Sequence, residues 1–221
     1  MTDSTPREPQ RYETTLSLPE PGRDFTVFPA RPLGNRCPRW YRTHSANLDP
    51  WWFASSSEGA GGRFDLPEPS GTLNTAESPE TSARESLGHL LVGARQIPET
   101  SVLNRTISTL EFSAMKVADF NSSQAPQYGV SPGDVVAPQP GGYQKTQAWA
   151  LAMHSAGHKG IVARSRFATA SNKECLFIFG PSGANKPSGA EVLETCSLRK
   201  MVESMNYKIL PTPSSEELDI R

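Results

Sequence analysis

Proline and glycine break this chain too often for any long regular element to run through it. Together they make about one residue in six of its 221, against roughly 12% in ordinary proteins. Neither an apolar heptad nor a Gly-X-Y period runs between them, so a coiled coil, a long helical bundle and a collagen-like rod are excluded. What is left is a modest core wrapped in many loops, at a length that suits one domain with a tail or two. Apolar runs such as Leu90-Leu91-Val92 and Cys175-Leu176-Phe177-Ile178-Phe179 fall far short of the ~18 to 20 residues a membrane helix needs.

Charge narrows the partners. Lys and Arg number 22 against 23 Asp and Glu, a formal net charge of −1, which supplies no long-range field to gather nucleic acid or anionic lipid. Any anion site must therefore be local. The first 30 residues lack the basic start, apolar middle and cleavage site of a secretory signal, so a cytoplasmic location is expected and the sequons at Asn104 and Asn121 read as accidental. Cys37, Cys175 and Cys196 include no pair at two-residue spacing, which suits a reducing compartment and no zinc knuckle.

Along the chain, residues 1–36 mix charge, Pro and Ser/Thr without a period and read as an extension unable to order itself. The folded part is expected over 37–181, followed by a C-terminal extension over 182–221. Trp40 to His44 has the aromatic and β-branched content of a strand. Trp51-Trp52-Phe53 reads as a cover for a core edge, and Glu58 to Phe64 as a glycine-rich loop ending in a cation. Gly71 to Ala76 is a further strand, and it feeds a helix that starts with Ser78 as N-cap, Pro79 at the first position and Glu80 in the first turn. At 100° per residue Ala83, Leu87, Leu90, Leu91 and Ala94 form one apolar stripe of that helix, with Ser82, Glu85 and His89 opposite. Thr109 to Val117 reads as one strand and 121–142 as a long Pro/Gly/Gln loop that borders a pocket. Tyr143 to Ala156 is a buried helix ended by Gly157, Gly160 to Ala163 and Cys175 to Phe179 are core strands, Glu191 to Tyr207 is a tail helix, and 211–221 frays. This order predicts an α+β domain with a mixed or antiparallel sheet, flanking helices and long loops, in place of a regular βαβ alternation.

Familiar motifs fail. Gly59-Ala-Gly61-Gly62 lacks the spacing and the following helix of a dinucleotide fingerprint. In Gly180-Pro-Ser-Gly183-Ala-Asn-Lys186 a proline stands where a phosphate loop carries Ser or Thr. His154 and His158 are split by Gly157 and have no third ligand in sight, so no metal is expected. Ser165 and Ser182 lack the elbow of a nucleophilic serine.

The polar residues that remain at the edges of core elements are Arg42, Arg63, Asn74, Glu85 and Ser165. The stretch Tyr41-Arg42-Thr-His, then Gly62-Arg63-Phe64-Asp65-Leu66-Pro67, then Gly71 to Glu85 carries an Arg on a first strand, a Gly-Arg-Phe loop, and a strand feeding a helix with a Glu. Later come Thr146-Gln147-x-x-Ala150 on a helix and Gly160 to Ser165, a strand ending in Ser. In order and spacing these pieces resemble the RES-domain family, named for an Arg, a Glu and a Ser. The resemblance implies a fold similar to ADP-ribosyltransferases and an activity on NAD as substrate, with no retained cofactor. It further implies a toxin of a toxin–antitoxin pair, with an antitoxin bearing an Xre-like helix-turn-helix domain as partner.

The residue types suit that chemistry. Breaking the nicotinamide–ribose bond develops positive charge on the ribose, which a carboxylate stabilises, and Glu85 is expected in that role. Pyrophosphate favours planar arginines, with Arg42 and Arg63 expected there, Arg63 counting also as catalytic. Ser165 is expected to orient the nicotinamide ribose. At Asn74 the family pattern usually carries a Tyr, and Asn hydrogen-bonds but cannot stack. The leading expectation is an NAD glycohydrolase. The alternatives are an ADP-ribosyltransferase acting on a protein and, because of Asn74, a catalytically inactive RES-fold binding module.

Overall fold

The computed structural model describes residues 16–33, 39–56, 61–137, 139, 141–168 and 173–212. Its frame is one eight-stranded mixed sheet: β1 (Ala30–Leu33), β2 (Trp40–Ser45), β3 (Ser70–Ala76), β4 (Arg105–Glu111), β5 (Met115–Asp119), β6 (Gly160–Arg164), β7 (Glu174–Pro181) and β8 (Glu191–Ser197). Across the sheet they run β1-β5-β6-β7-β3-β2-β4-β8, with β5 and β6 parallel and every other pair antiparallel. The helices among the described residues are α1 (Pro79–Leu87), α2 (Pro132–Val136), α3 (Gln144–Ser155) and α4 (Leu198–Ser204).

Connectivity forces this sheet to fold on itself. Only Phe112 to Ala114 separate β4 from β5, yet β6, β7, β3 and β2 stand between them in the sheet. Strands sit about 4.8 Å apart, so in a flat sheet β4 and β5 would be some 24 Å from each other. Four Cα steps of about 3.8 Å reach no further than about 15 Å. The two halves must therefore face each other. The crease lies between β3 and β2, which share a single register pair, Tyr41 with Ala76.

Side-chain alternation then sorts the apolar residues into three cores. On β7, Leu176 and Ile178 point inward, with Leu73, Val117 and Val162 of the same half meeting Trp40 and Leu110 of the other. Cys175, Phe177 and Phe179 point outward beneath Trp149, Ala150 and Met153 of α3. Behind the other half, Ile107 is covered by Ala83 and Leu87 of α1 and by Leu198 and Val202 of α4. The start of α1 follows the expectation: Ser78 Oγ accepts the Thr81 N–H at 3.1 Å with Pro79 at the first turn. The helix stops at Gly88, whose φ of +47° favours glycine. The apolar stripe thus breaks early, and Leu90 is exposed.

Several expectations are corrected. Residues 16–33, expected within an unordered extension over 1–36, are part of the core: Leu16, Phe25, Phe28 and Leu33 are buried, and β1 pairs with β5. Phe25 meets Trp149 edge-on at 5.3 Å between centroids, and Trp149 Nε1 donates to the Ser17 carbonyl at 2.8 Å. The apolar residues are few and unevenly spaced, so no local period betrays them, but α3 needs a cover. The expected strand Thr109–Val117 is two strands broken at Phe112 to Ala114. The 121–142 stretch contains a 3₁₀ turn at Ala125–Tyr128 and α2, and it buries Ala125, Val130 and Val135 against α3's core. In the expected helix Glu191–Tyr207 the first seven residues are β8 instead. There the exposed edge of β4 recruits the chain, since its backbone groups need partners and tertiary pairing overrides local preference. Of α3, Leu151 faces solvent, so the helix is not buried all round. Residues 1–15, Cys37, Gly59 and the end beyond 212 lie outside the described residues.

Burying a Leu or Phe fully contributes roughly 1.5–3 kcal/mol. Four such residues in 16–33 add up to about 6–12 kcal/mol before ordering entropy is counted, on the scale of a whole domain's ~5–15 kcal/mol. A chain lacking residues 1–33 is expected to lose its near-ultraviolet circular dichroism and to aggregate on gel filtration. A sharp thermal transition matching that of the full chain would show that the segment is dispensable.

Candidate active site

At the crease, where one backbone pair joins β2 to β3 and α1 packs across β2, a cavity of about 260 Å³ opens. Thr43 of β2, Asn74 and Ala76 of β3, and Ser82 and Glu85 of α1 form one side of it. Cys175 and Phe177 of β7 form the floor, with Arg63, Tyr143, Arg166 and Phe167 closing the rest. Asn74 and Phe177 are cross-strand partners, so both face the same side of the sheet.

Glu85 lies on the face of α1 opposite the apolar stripe, as the helical period requires, and that face looks into the cavity. Its carboxylate is held by one oxygen. Oε1 accepts from Ser165 Oγ at 2.5 Å, from the Arg166 N–H at 2.7 Å and from the Phe167 N–H at 3.3 Å. Ser165 in turn accepts the Ala168 N–H at 3.1 Å. The turn after β6 thus forms a cradle for one oxygen of the carboxylate and leaves Oε2 outside that cradle. Ser165 stands behind Glu85 and is absent from the cavity wall, so its observed partner is the glutamate. Cys175 is close by: burial pushes its thiol up, and the nearby Glu85 charge pushes the same way.

Arg63 is the electrostatic anomaly of the site. Its side chain is 7% exposed and lines the cavity, yet neither terminal nitrogen has a hydrogen-bond partner among the described residues. The guanidinium lies over two rings, 5.4 Å from the Phe64 centroid and 5.2 Å from that of Phe177. Ring faces attract a cation but do not replace hydrogen-bond acceptors, and a buried charged donor without an acceptor is costly. The site is chemically complete only with an acceptor-bearing group, an anion above all, at Arg63.

Arg42 does something else. It donates from one terminal nitrogen to the Trp52 carbonyl at 2.7 Å and from the other to the Asn74 carbonyl at 3.3 Å, and it is not part of the cavity wall. Burial pulls it down to about 10, partly offset by the charge of Asp65. Beside the crease, where backbone pairing is thinnest, it ties β2 to β3 and to the Trp52 segment. Asp65 accepts the Gly62 N–H at 2.6 Å and Asn74 Nδ2 at 3.3 Å. Because an ionised carboxylate only accepts, Asn74 must turn its amide nitrogen toward Asp65. Its Oδ1 is then left buried without a partner.

Of the five residues singled out from the sequence, Arg63, Asn74 and Glu85 share the cavity wall, while Arg42 and Ser165 stand behind it. Sequence reasoning missed Arg166, Tyr143 and Asp65. Arg166 follows the quoted Ser165 directly, Asp65 follows Gly62-Arg63-Phe64, and Tyr143 opens the helix carrying Thr146 and Gln147; adjacency to a motif was the available signal. Gln147 donates from Nε2 to the Gly62 carbonyl at 3.1 Å, fixing the Arg63 loop to α3. Of the 121–142 stretch, expected to border the pocket, no described residue lines the wall. His154 stacks edge-on against Phe179, while His158 pairs with the Phe25 carbonyl.

The model of the RES domain matches residues 39–194. Among solved structures, a chain of the M. tuberculosis MbcT–MbcA toxin–antitoxin complex superposes with a TM-score of 0.54 at 16% identity, over 76% of this chain and 88% of that one. At that identity the likeness speaks for the fold. No curated protein matches this sequence.

Two outcomes follow from the geometry. Arg42→Ala removes charge-assisted bonds worth about 1.5–3 kcal/mol each, less the relief of a desolvated charge. A net loss near 1–3 kcal/mol should lower the thermal midpoint by roughly 2–10 °C; an unchanged midpoint would deny the clamp. Burial raises Asp65 above its usual 3.8, so the folded state favours the protonated acid. That contribution is full below about 3.8 and fades as pH rises through the raised value. Unfolding titrations from pH 3 to 7 should show Asp65→Asn gaining on the wild type across that window, and the reverse slope would refute the assignment.

Proposed function

The chain belongs to the RES-domain family, and on that premise we propose that it consumes NAD as a glycohydrolase, cleaving the bond between nicotinamide and ribose. One observation carries this reading: Arg63, buried and without an acceptor among the described residues, shares a cavity with Glu85, whose carboxylate is held by a single oxygen. A cation awaiting an anion beside a carboxylate suits a substrate that is negative at its pyrophosphate and turns positive at its ribose. When the C–N bond breaks, nicotinamide leaves as a neutral base and the ribose becomes an oxocarbenium-like centre. Glu85 Oε2 stabilises that charge directly or through a ribose hydroxyl. Water adds to the carbon, and the products are nicotinamide, ADP-ribose and a proton. Arg63 binds phosphate oxygens in bidentate fashion. Ser165 acts as a positioning residue, holding Glu85 so that its free oxygen faces the substrate.

NAD is thus substrate and not a retained cofactor. In the same reading the protein is a cytoplasmic toxin held in check by a cognate antitoxin carrying an Xre-like helix-turn-helix domain. The structural relative in a toxin–antitoxin complex supports that role. No helix among the described residues is long and apolar enough to cross a membrane.

Purified protein incubated with NAD should release nicotinamide. Glu85→Gln, which keeps the shape, should slow release by roughly 100-fold or more, on the scale of losing a principal electrostatic group, and Ser165→Ala by about tenfold. Silence in the wild type, or a Glu85→Gln rate equal to it, rejects the glycohydrolase. Label from NAD appearing on a protein band in lysate would move the assignment to ADP-ribosyl transfer. A silent wild type that gains activity as Asn74→Tyr would make it an inactive binding module.

A further inference from the structure

Several arginines here are already neutralised by carboxylates. Arg31 pairs with Glu174 and Asp119, Arg84 with Glu80, and Arg199 with Glu99. Two arginines on the cavity wall differ: neither Arg63 nor Arg166 has a carboxylate partner among the described residues. Arg166 is half-buried. One terminal nitrogen donates to the Tyr143 hydroxyl at 2.6 Å, and the guanidinium carbon stands 5.2 Å from the Phe167 ring centroid. Tyr143, at the start of α3, and the Phe167 ring thus hold the fork in a fixed plane, and its remaining donors have no partner among the described residues. Arg42, by contrast, is committed to two backbone carbonyls.

We propose that Arg166 is the second phosphate-binding arginine of the site, and that it couples the grip on phosphate to the placement of Glu85. The assignment rests on the NAD reading above. The coupling is covalent: the residue whose guanidinium meets the phosphate carries the backbone N–H that binds Glu85 Oε1 at 2.7 Å. Phosphate bound at the fork fixes that residue, and with it the cradle of Ser165 Oγ and the Arg166 and Phe167 N–H groups around the carboxylate. A cavity of about 260 Å³ is small for a whole dinucleotide, since ligand sites commonly span about 300–1,000 Å³. The ribose end therefore sits within and the phosphates at the wall. Binding energy from a remote phosphate is then expressed in the rate of bond cleavage as well as in affinity.

The test compares NAD with nicotinamide riboside, which has the scissile bond and no phosphate, and measures ADP-ribose affinity separately. Arg166→Ala should weaken ADP-ribose binding by about tenfold or more, with Arg166→Lys restoring part of it as a point charge without the fork. The same Ala variant should lower kcat on NAD toward the riboside rate, with a much smaller loss on the riboside. Unchanged ADP-ribose affinity overturns the phosphate site. A loss seen only in KM, or an equal loss on the riboside, overturns the coupling. If the wild type releases nicotinamide from neither substrate, the NAD reading fails by itself, and the ADP-ribose titration of the Ala and Lys variants, checked for unaltered melting, decides Arg166 independently.

Discussion

Three residues, Phe112 to Ala114, press the two halves of one sheet together. Everything else in the molecule answers to that closure. Facing halves create an inner core of Leu73, Val162 and Leu176 against Trp40 and Leu110, and they turn each outer face to helices that must cover it. They also make a crease, because strands bent back on one another cannot keep full backbone pairing where they turn. At the crease only Tyr41 and Ala76 remain in register, and the opening holds the cavity. The site is the gap left by the fold's tightest connection, and its walls come from segments distant in sequence.

Polar groups at the crease divide into those that hold the gap open and those that await a guest. Arg42 spends its two terminal nitrogens on backbone carbonyls, replacing ladder bonds that the crease cannot make. Glu85 is fixed through one oxygen by the turn after β6. Arg63 and the Asn74 Oδ1 have no partners among the described residues, a state shared by Trp40 Nε1, Arg42 Nε, Asn121 Oδ1 and the Gln139 amide; what sets Arg63 apart is that its unpaired charge lies on the cavity wall.

How much of this was legible depended on whether the signal was local. The α1 start was written in Ser78, Pro79 and Glu80, and the facing of Glu85 followed from helical period alone. Core strands β6 and β7 were plain in their apolar runs. Residues 16–33 were not, because Phe25 and Phe28 gain burial from Trp149 of α3, Phe120, Tyr128 and His158, contacts that no local window contains. For β8 the difficulty was similar: all seven residues are exposed, so burial left no pattern and only the free edge of β4 explains the strand. Within the site, Arg63, Asn74 and Glu85, singled out by order and spacing, stand on one cavity wall. Order and spacing could not show that Arg42 faces carbonyls or that Ser165 faces Glu85, since both facts depend on rotamers chosen by the crease.

The short link between β4 and β5 has a consequence for how such a site diversifies. None of Phe112, Ser113 and Ala114 touches the cavity, yet their number limits how far the two half-sheets can stand apart. Cleft width is therefore governed by a length, and chemistry by composition, at separate places in the chain. A residue inserted in that link would loosen the jaw without altering one tooth, so room for a bulkier guest and the character of the reaction are open to change independently of each other.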